Sequence, residues 1–311
     1  MSAEHKGDGG DAAPIGGQAL IEGVMMLRGG AWGAAVRRTD GSIGTTTRAV
    51  PSGLATWRKI PLVRGTIALG ASAGLGTRAM IWGAEERGDE SGDGYSVVGL
   101  VLSVVIALTA VVGIFGLAPA AVAKAMGIHN ALLFSLVEGL LRLGVLVGYL
   151  ALLGRSAQVR RVFAYHGAEH MTIHAFEHGG DLSTDRIRTF DRRHPRCGTS
   201  FLLIVVLVTM VAHAVVGNPS WPVLVASRIL GIPVVAGLAY ETIRFAGNHQ
   251  DNWFGRLLMA PGAWLQSLTT AEPTDDMIEV AVAALHATLA DEDGALAVTE
   301  APGLLSPAEG A

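Results

Sequence analysis

Five of the ten histidines lie between residues 166 and 194. Most fall in one stretch, His166-Gly167-Ala168-Glu169-His170-Met171-Thr172-Ile173-His174-Ala175-Phe176-Glu177-His178. It contains no proline and meets paired glycines only at Gly179-Gly180, where a helix would end. At the roughly 100° per residue of an α-helix, His166, Glu169, His170, His174 and Glu177 share one face. Imidazoles one turn apart chelate a single transition metal, and neutral imidazole nitrogen suits zinc, iron, copper or nickel. A divalent transition metal, zinc first among them, is therefore expected on this helix. The competing reading makes the same histidines the wet face of an interfacial helix, with His178 simply at the surface.

The spacing of His166, Glu169 and His170 is also that of the inverted zinc-protease motif. There the two histidines bind the metal and the glutamate accepts a proton from metal-bound water. A third ligand must come from elsewhere, and His194-Pro195-Arg196-Cys197-Gly198-Thr199-Ser200 is the best source. A cysteine beside an arginine and at the start of an apolar helix should ionise readily, and thiolate is the ligand form. His194 or Cys197 is expected to complete the shell, with His174, Glu177, Glu241 and Glu22 as further candidates. The plainer alternatives are an inert, small Cys197, and Thr199 and Ser200 that only cap the following helix.

These residues must be positioned by a chain that is 50% hydrophobic and 16% charged, where a soluble domain carries about 25% charged residues. Its mean hydropathy is +0.42. The net charge of -4 gives no sign of the basic face of a nucleic-acid binder. A single cysteine excludes an intrachain disulfide. Residues Met1 to Ala13 lack the apolar core of a signal peptide. Four apolar runs, Val97 to Ala123, Ala131 to Leu153, Phe201 to Val216 and Pro222 to Ala246, predict four membrane spans, the last kinked by Pro233. No span carries the broken-helix pattern of a transporter site. Glu138 and Arg142 stand at i, i+4 in the second span, and Arg228 lies in the fourth. Ionisable groups inside a membrane are paired or functional. An ion-pair network joining spans two and four is preferred here over a transport pathway. His213, in the third span, is read as making a packing hydrogen bond.

Orientation follows from the basic residues. The loop from Arg155 to Ser200 carries Arg155, Arg160, Arg161, Arg186, Arg188, Arg192, Arg193 and Arg196, whereas the connection between the first two spans offers only Lys124. The positive-inside rule makes the basic loop cytoplasmic. Both termini then lie on the same side, in agreement with Arg37, Arg38, Arg58, Lys59, Arg64 and Arg78 before the first span. In that N-terminal region, Trp32 to Arg38 and Ile43 to Val50 flank a Gly-containing turn and read as a β-hairpin. Pro61 to Gly83 reads as a helix opened by proline, interfacial or packed on the bundle, with a re-entrant element as the alternative. Glu85 to Gly94 reads as a polar linker. Asp275 to Leu289 is an amphipathic helix with Met277, Ile278, Val280, Ala281, Ala284, Leu285 and Leu289 as its stripe.

The motifs form a recognisable set. Gly16-Gly17-Gln18-Ala19-Leu20-Ile21-Glu22-Gly23-Val24-Met25-Met26, Pro61-Leu62-Val63-Arg64-Gly65, His166-Gly167-Ala168-Glu169-His170, His194 to Phe201, Tyr240-Glu241 and Pro261-Gly262-Ala263-Trp264-Leu265-Gln266 all take part. So do Thr269-Thr270 and Glu272-Pro273. Over about residues 15 to 290 the chain resembles the YqhQ-like family of bacterial membrane proteins. The resemblance implies a metal-dependent enzyme and brings no established substrate. The first block is its most distinctive stretch. It reads either as a structural loop leading into the fold or as a segment whose Glu22 and Arg28 fold back towards the site.

The expected architecture is a mainly α, polytopic helical membrane protein with about four transmembrane helices. Residues 1–14 are expected to be a disordered N-terminus. Residues 15–94 form a cytoplasmic region with the hairpin and the interfacial helix. Residues 95–246 form the four-span membrane domain, with the His-rich loop 155–200. Residues 247–290 form a cytoplasmic region with the amphipathic helix, and 291–311 a disordered tail. The expected location is the bacterial inner membrane, with both termini cytoplasmic, membrane lipids as neighbours and no nucleic acid. The expected activity is hydrolysis at the cytoplasmic membrane face, with Glu169 as base. A non-catalytic membrane scaffold or assembly factor is the alternative, and a transporter the third reading.

Overall fold

A computed structural model describes residues 15–50, 60–88, 97–195, 197–249 and 252–290. The expected disordered ends, 1–14 and 291–311, lie outside the described residues, as do Arg58, Lys59, Arg196 and most of the expected polar linker.

The N-terminal region is a four-stranded antiparallel meander: β1 Gly16–Leu20, β2 Gly23–Arg28, β3 Ala31–Arg37 and β4 Ile43–Ala49, in the order β1-β2-β3-β4. The expected hairpin is its second half, with Arg37 opposite Ile43. The Gly-Gly-Gln-Ala block, read as a loop, is instead two strands, joined by the two-residue turn Ile21-Glu22. Both faces of the sheet are buried. Val24, Met26 and Ala35 lie in one core with helices α5 (Ala157–Glu177) and α11 (Asp275–Leu289). Met25, Trp32, Ala34 and Val36 point the opposite way and pack on Leu75, Ala79 and Trp82 of α1 (Val63–Glu86). Neighbouring residues of a strand face opposite sides, so a sheet covered on both sides reads as a continuous apolar run.

Helix α1 starts at Val63 rather than at Pro61. Leu62 before it has the left-handed φ of 68°, a conformation that costs a non-glycine residue roughly 1–2 kcal/mol. Glu241 secures that start: its carboxylate accepts from the Leu62 N–H at 3.2 Å and forms an ion pair with Arg64. The first half of α1 thus lies on α9 and its second half on the sheet.

The remaining helices are α2 (Val97–Val111), a wide π-helical turn Val112–Leu117, α3 (Ala118–Ala125), α4 (Ala131–Leu153), the short α6 (Thr184–Ile187), α7 (Thr199–Val216), α8 (Trp221–Leu230), α9 (Ile232–Asn248) and α10 (Trp253–Thr269). Three apolar stretches, Val101–Ala125, Ala131–Leu153 and Thr199–Val216, are long enough to cross a membrane; α8 and α9 make a fourth if the bent pair is one span. That pair bends by 48°, more than the kink expected of Pro233. Proline there offers no N–H to the carbonyl four residues earlier and crowds it, and the bend falls at Gly231, where a Cβ would stand 2.5 Å from the Ser227 carbonyl oxygen. The same effect operates in the first span, where Pro119 withdraws the donor due to the Phe115 carbonyl and the helix widens just before it. The kink expected at Pro233 is present as a bend between two helices, while the first span stays one continuous stretch with a local widening.

Candidate metal centre

Helix α5 carries the histidines. It begins after Ser156 in an extended conformation and stops at Gly179 and Gly180, whose φ values of 123° and 74° no ordinary side chain favours. His166 and His170 stand one turn apart with ring centroids 4.3 Å from each other. Each ring is fixed from behind by a main-chain carbonyl. His166 Nδ1 lies 2.9 Å from the Thr269 oxygen and His170 Nδ1 lies 2.6 Å from the Arg192 oxygen. A carbonyl only accepts, so Nδ1 holds the proton in both rings and Nε2 keeps its lone pair.

Cys197 meets them from the turn that opens α7, with its Sγ 3.2 Å from His166 Nε2. The turn is closed by the Cys197 N–H donating to the His194 carbonyl, and Thr199 donates its N–H to Sγ at 3.4 Å. Gln266, fully buried on α10, holds this turn in place. Its Oε1 accepts from the His194 N–H at 2.8 Å, and its Nε2 donates to the His194 carbonyl at 2.9 Å and to Ser200 Oγ at 3.1 Å. Thr199 and Ser200 therefore serve the cysteine turn; no side-chain cap bond forms at the start of α7.

One donor atom from each of His166, His170 and Cys197 lies within 4.8 Å of the others. Tetrahedral zinc with two nitrogens and one sulfur needs donor separations of about 3.4–3.6 Å. The trio is slightly wider than that and of the right chemistry. Among the described residues three donors converge, one fewer than a closed tetrahedral zinc site uses. Carbonyl-anchored Nδ1–H groups are the usual support of metal-binding histidines. The residues fit a divalent transition metal.

The other sequence candidates lie around this trio. His194 is displaced one turn along α5, its ring 4.6 Å from that of His174 and 5.7 Å from that of His170, with Nε2 3.6 Å from Glu177 Oε2. His174 Nε2 lies 3.0 Å from the Arg193 carbonyl. Of the two residues offered as third donor, geometry brings Cys197 to the centre and leaves His194 beside it. His178 is exposed. Glu241 is engaged by Arg64. Glu22 folds back onto α5 through Arg161 and lies 3.3 Å from the Tyr165 hydroxyl. Arg28 does the same through the Phe176 ring at 5.5 Å. Both reach the helix that carries the histidines and neither joins the trio.

Glu169 turns towards the sheet. It is fully buried, and burial raises its carboxyl to about 7, opposed only by the charge of His166. Its Oε2 has no hydrogen-bond partner among the described residues. A Cβ added to Gly17 of β1 would stand 2.8 Å from its Oε1, so glycine there makes room for the carboxylate. Beside the centre, a cavity of about 450 Å³ is lined by Arg193, His194, Ser200 and, from α10, Arg256, Met259 and Ala263.

Sequence reasoning missed the supporting roles of Gln266, Thr269 and Arg192. Gln266 and Thr269 appear in its motifs without a function. The contacts of Thr269 and Arg192 are made by main-chain oxygens, which any residue type supplies.

A family model described as "Protein of unknown function (DUF1385)" matches residues 60–291. The chain belongs to this family. The "Uncharacterized protein YqhQ" of Bacillus subtilis (strain 168) is 34% identical over 297 residues, covering 88% of this chain and 92% of that protein. No solved structure matches. The DUF1385 match begins at Ile60, after the four strands, so the histidine helix, the cysteine turn and Gln266 all fall inside it.

Proposed function

We propose that this chain is a metal-dependent hydrolase of the bacterial cytoplasmic membrane, with its centre at the cytoplasmic face. One observation carries the reading. Two imidazoles of α5, each with Nδ1 held by a main-chain carbonyl, meet one thiol from the turn before α7, 31 residues beyond His166 in sequence. Bound there, a divalent metal would supply Lewis acidity and a nucleophilic water at neutral pH. His166, His170 and Cys197 hold it. Glu169 is the base in this reading, a role that requires its carboxylate to leave the seam beside Gly17 and turn to the centre. Arg256 lines the neighbouring cavity, where Arg193 is paired with Asp191, and would attract an anionic group of the substrate. The apolar helices span the membrane, and the arginines of the loop after α4 keep that end in the cytoplasm.

Protein purified in detergent and analysed by inductively coupled plasma mass spectrometry should carry one zinc or iron per chain, and His170→Ala should lose it. A wild-type protein that stays metal-free after reconstitution with either ion ends the proposal. Glu169→Gln should keep the metal and lower the rate by about 10²–10⁴, the usual contribution of a general base. Full function in vivo with Glu169→Gln would favour the scaffold reading instead.

A further inference from the structure

A second site lies in the apolar helix bundle, and the metal centre has no part in it. Glu138 of α4 is 1% exposed. Its Oε1 accepts from Arg142 one turn on, and its Oε2 accepts from Arg228 of α8 at 2.7 Å. One carboxylate thus faces two guanidinium groups, which never deprotonate in proteins. His213 of α7 approaches Glu138 at 3.6 Å and, neutral or protonated, adds no negative charge. The cluster therefore holds an excess positive charge where such charge is costly. It also has donor capacity to spare: Arg142 Nη1 and Arg228 Nε are buried with no hydrogen-bond partner among the described residues.

Two irregular helices meet at this cluster. Pro119 strips the Phe115 carbonyl of its helical partner, and Arg142 Nε donates to that carbonyl at 2.6 Å. Arg228 stands just before the 48° bend between α8 and α9. Wide π turns and broken spans recur at functional sites inside membranes. Between them is a cavity of about 270 Å³ lined by both arginines and His213. The rest of its wall is almost wholly apolar, and Leu69, Leu108, Val111 and Ile232 on that wall are exposed on the outside of the bundle. With the apolar helices read as membrane spans, on which this inference rests, the cavity opens sideways to lipid.

We propose that this cavity binds an oxyanion carried on a single apolar chain, drawn from the bilayer. The anionic head neutralises the excess charge at Arg142 and Arg228, and the chain lies along the apolar wall towards Leu108 and Ile232. A structural ion-pair network needs neither the second arginine nor the cavity. The head group can come from a fatty acid or from a lipid phosphate monoester, and the chemistry of recognition is the same for both.

The full chain, purified in a non-ionic detergent, is titrated with palmitate, hexadecyl phosphate, hexadecanol and acetate, read by native mass spectrometry and thermal unfolding. Palmitate, hexadecyl phosphate or both should bind and raise the Tm, and the stronger of the two names the head group. Hexadecanol binding as tightly as the anions, or acetate displacing them at equal concentration, would overturn the proposal. Arg228→Gln should weaken binding by about 10- to 100-fold, the worth of a charge-assisted hydrogen bond. Because that variant disturbs a buried ion pair, Gly116→Leu is the second test. A Cβ at Gly116 has only ordinary contacts, to Val112 at 3.9 Å and Arg228 at 4.0 Å. The leucine fills the cavity and leaves the ion pairs intact, so it should abolish binding with an unchanged ligand-free Tm. Unaltered binding by Gly116→Leu would sink the site. Carbonate extraction of membranes separates the two ideas. Protein that stays in the membrane pellet and binds none of the anions refutes the cavity alone; protein released by carbonate refutes the spans.

Discussion

At the scale of single residues, the centre depends on groups that donate no electron pair to a metal. The i, i+4 spacing placed His166 and His170 on one face, and the same arithmetic put Glu169 with them. The fold separates that trio: Glu169 is drawn into the seam with β1 because Gly17 leaves space for a carboxylate there. Which of His194 and Cys197 completes the shell was not legible. The choice depends on the turn held by Gln266, and that contact joins residues 72 apart in sequence. Gln266→Leu keeps the volume but removes the Gln266 acceptor of the His194 N–H and one of two donors to its carbonyl, which keeps the Cys197 N–H. At about 1–3 kcal/mol for a buried group that loses its partner, the variant should lose about 1–3 kcal/mol of stability. Metal affinity should fall by about 10- to 100-fold, as for other supporting contacts. Thermal unfolding and competition with a chromophoric chelator measure the two effects. Unchanged affinity in a folded variant would show that Gln266 does not position Cys197.

At the scale of elements, legibility followed burial. Helix α11 was read correctly because one face is wet: Met277, Ile278, Ala281, Ala284 and Leu285 are buried and recur at helical spacing. The hairpin of β3 and β4 was visible through its turn, where Asp40 Oδ1 accepts from the Ser42 N–H at 2.9 Å. Strand β2 was not, because residues on both faces are covered and Gly23 to Met26 show no alternation, and β1 opens on two exposed glycines. Helix α10 was hidden by Pro261 in its interior. The sheet depends on α1 for its second cover, and Trp82 is the largest side chain α1 contributes to that core. Trp82→Ala should cost about 3–5 kcal/mol, the range for an aromatic removed from a packed core. The loss should appear as earlier proteolysis and unfolding of the sheet and the helices packed on it. A Tm within a degree of wild type would mean that α1 does not cover the sheet.

At the scale of the whole molecule, one topology accounts for the placement of both sites. Helices α5 and α11 and the sheet share one core, and Cys197 meets it through His166, so with the apolar helices proposed as membrane spans the candidate metal centre lies on one side of the bilayer. Lys124, by contrast, donates to Asn218 Oδ1 at 2.6 Å and to the Pro219 carbonyl at 2.7 Å. This ties the α3–α4 connection to the α7–α8 turn at the opposite end of the bundle. The Glu138 cluster lies part-way between, since α4 begins at Ala131, near that end, and Arg142 is near its middle. Lysine is scarce and arginine absent at the Lys124 end, which the positive-inside rule assigns to the outside. Cys197 is the sole cysteine, so Cys197→Ser gives a background for single-cysteine labelling. In whole cells, Met126→Cys, at a position 60% exposed, should react with a membrane-impermeant maleimide. His178→Cys, on the exposed end of α5, should react only after the cells are opened. The reverse pattern would put the proposed metal centre outside, away from any cytosolic substrate. Labelling of both positions in intact cells would mean that the apolar helices do not separate the two ends at all. Only the first outcome lets the bilayer feed the inner cavity while the cytosol feeds the metal centre.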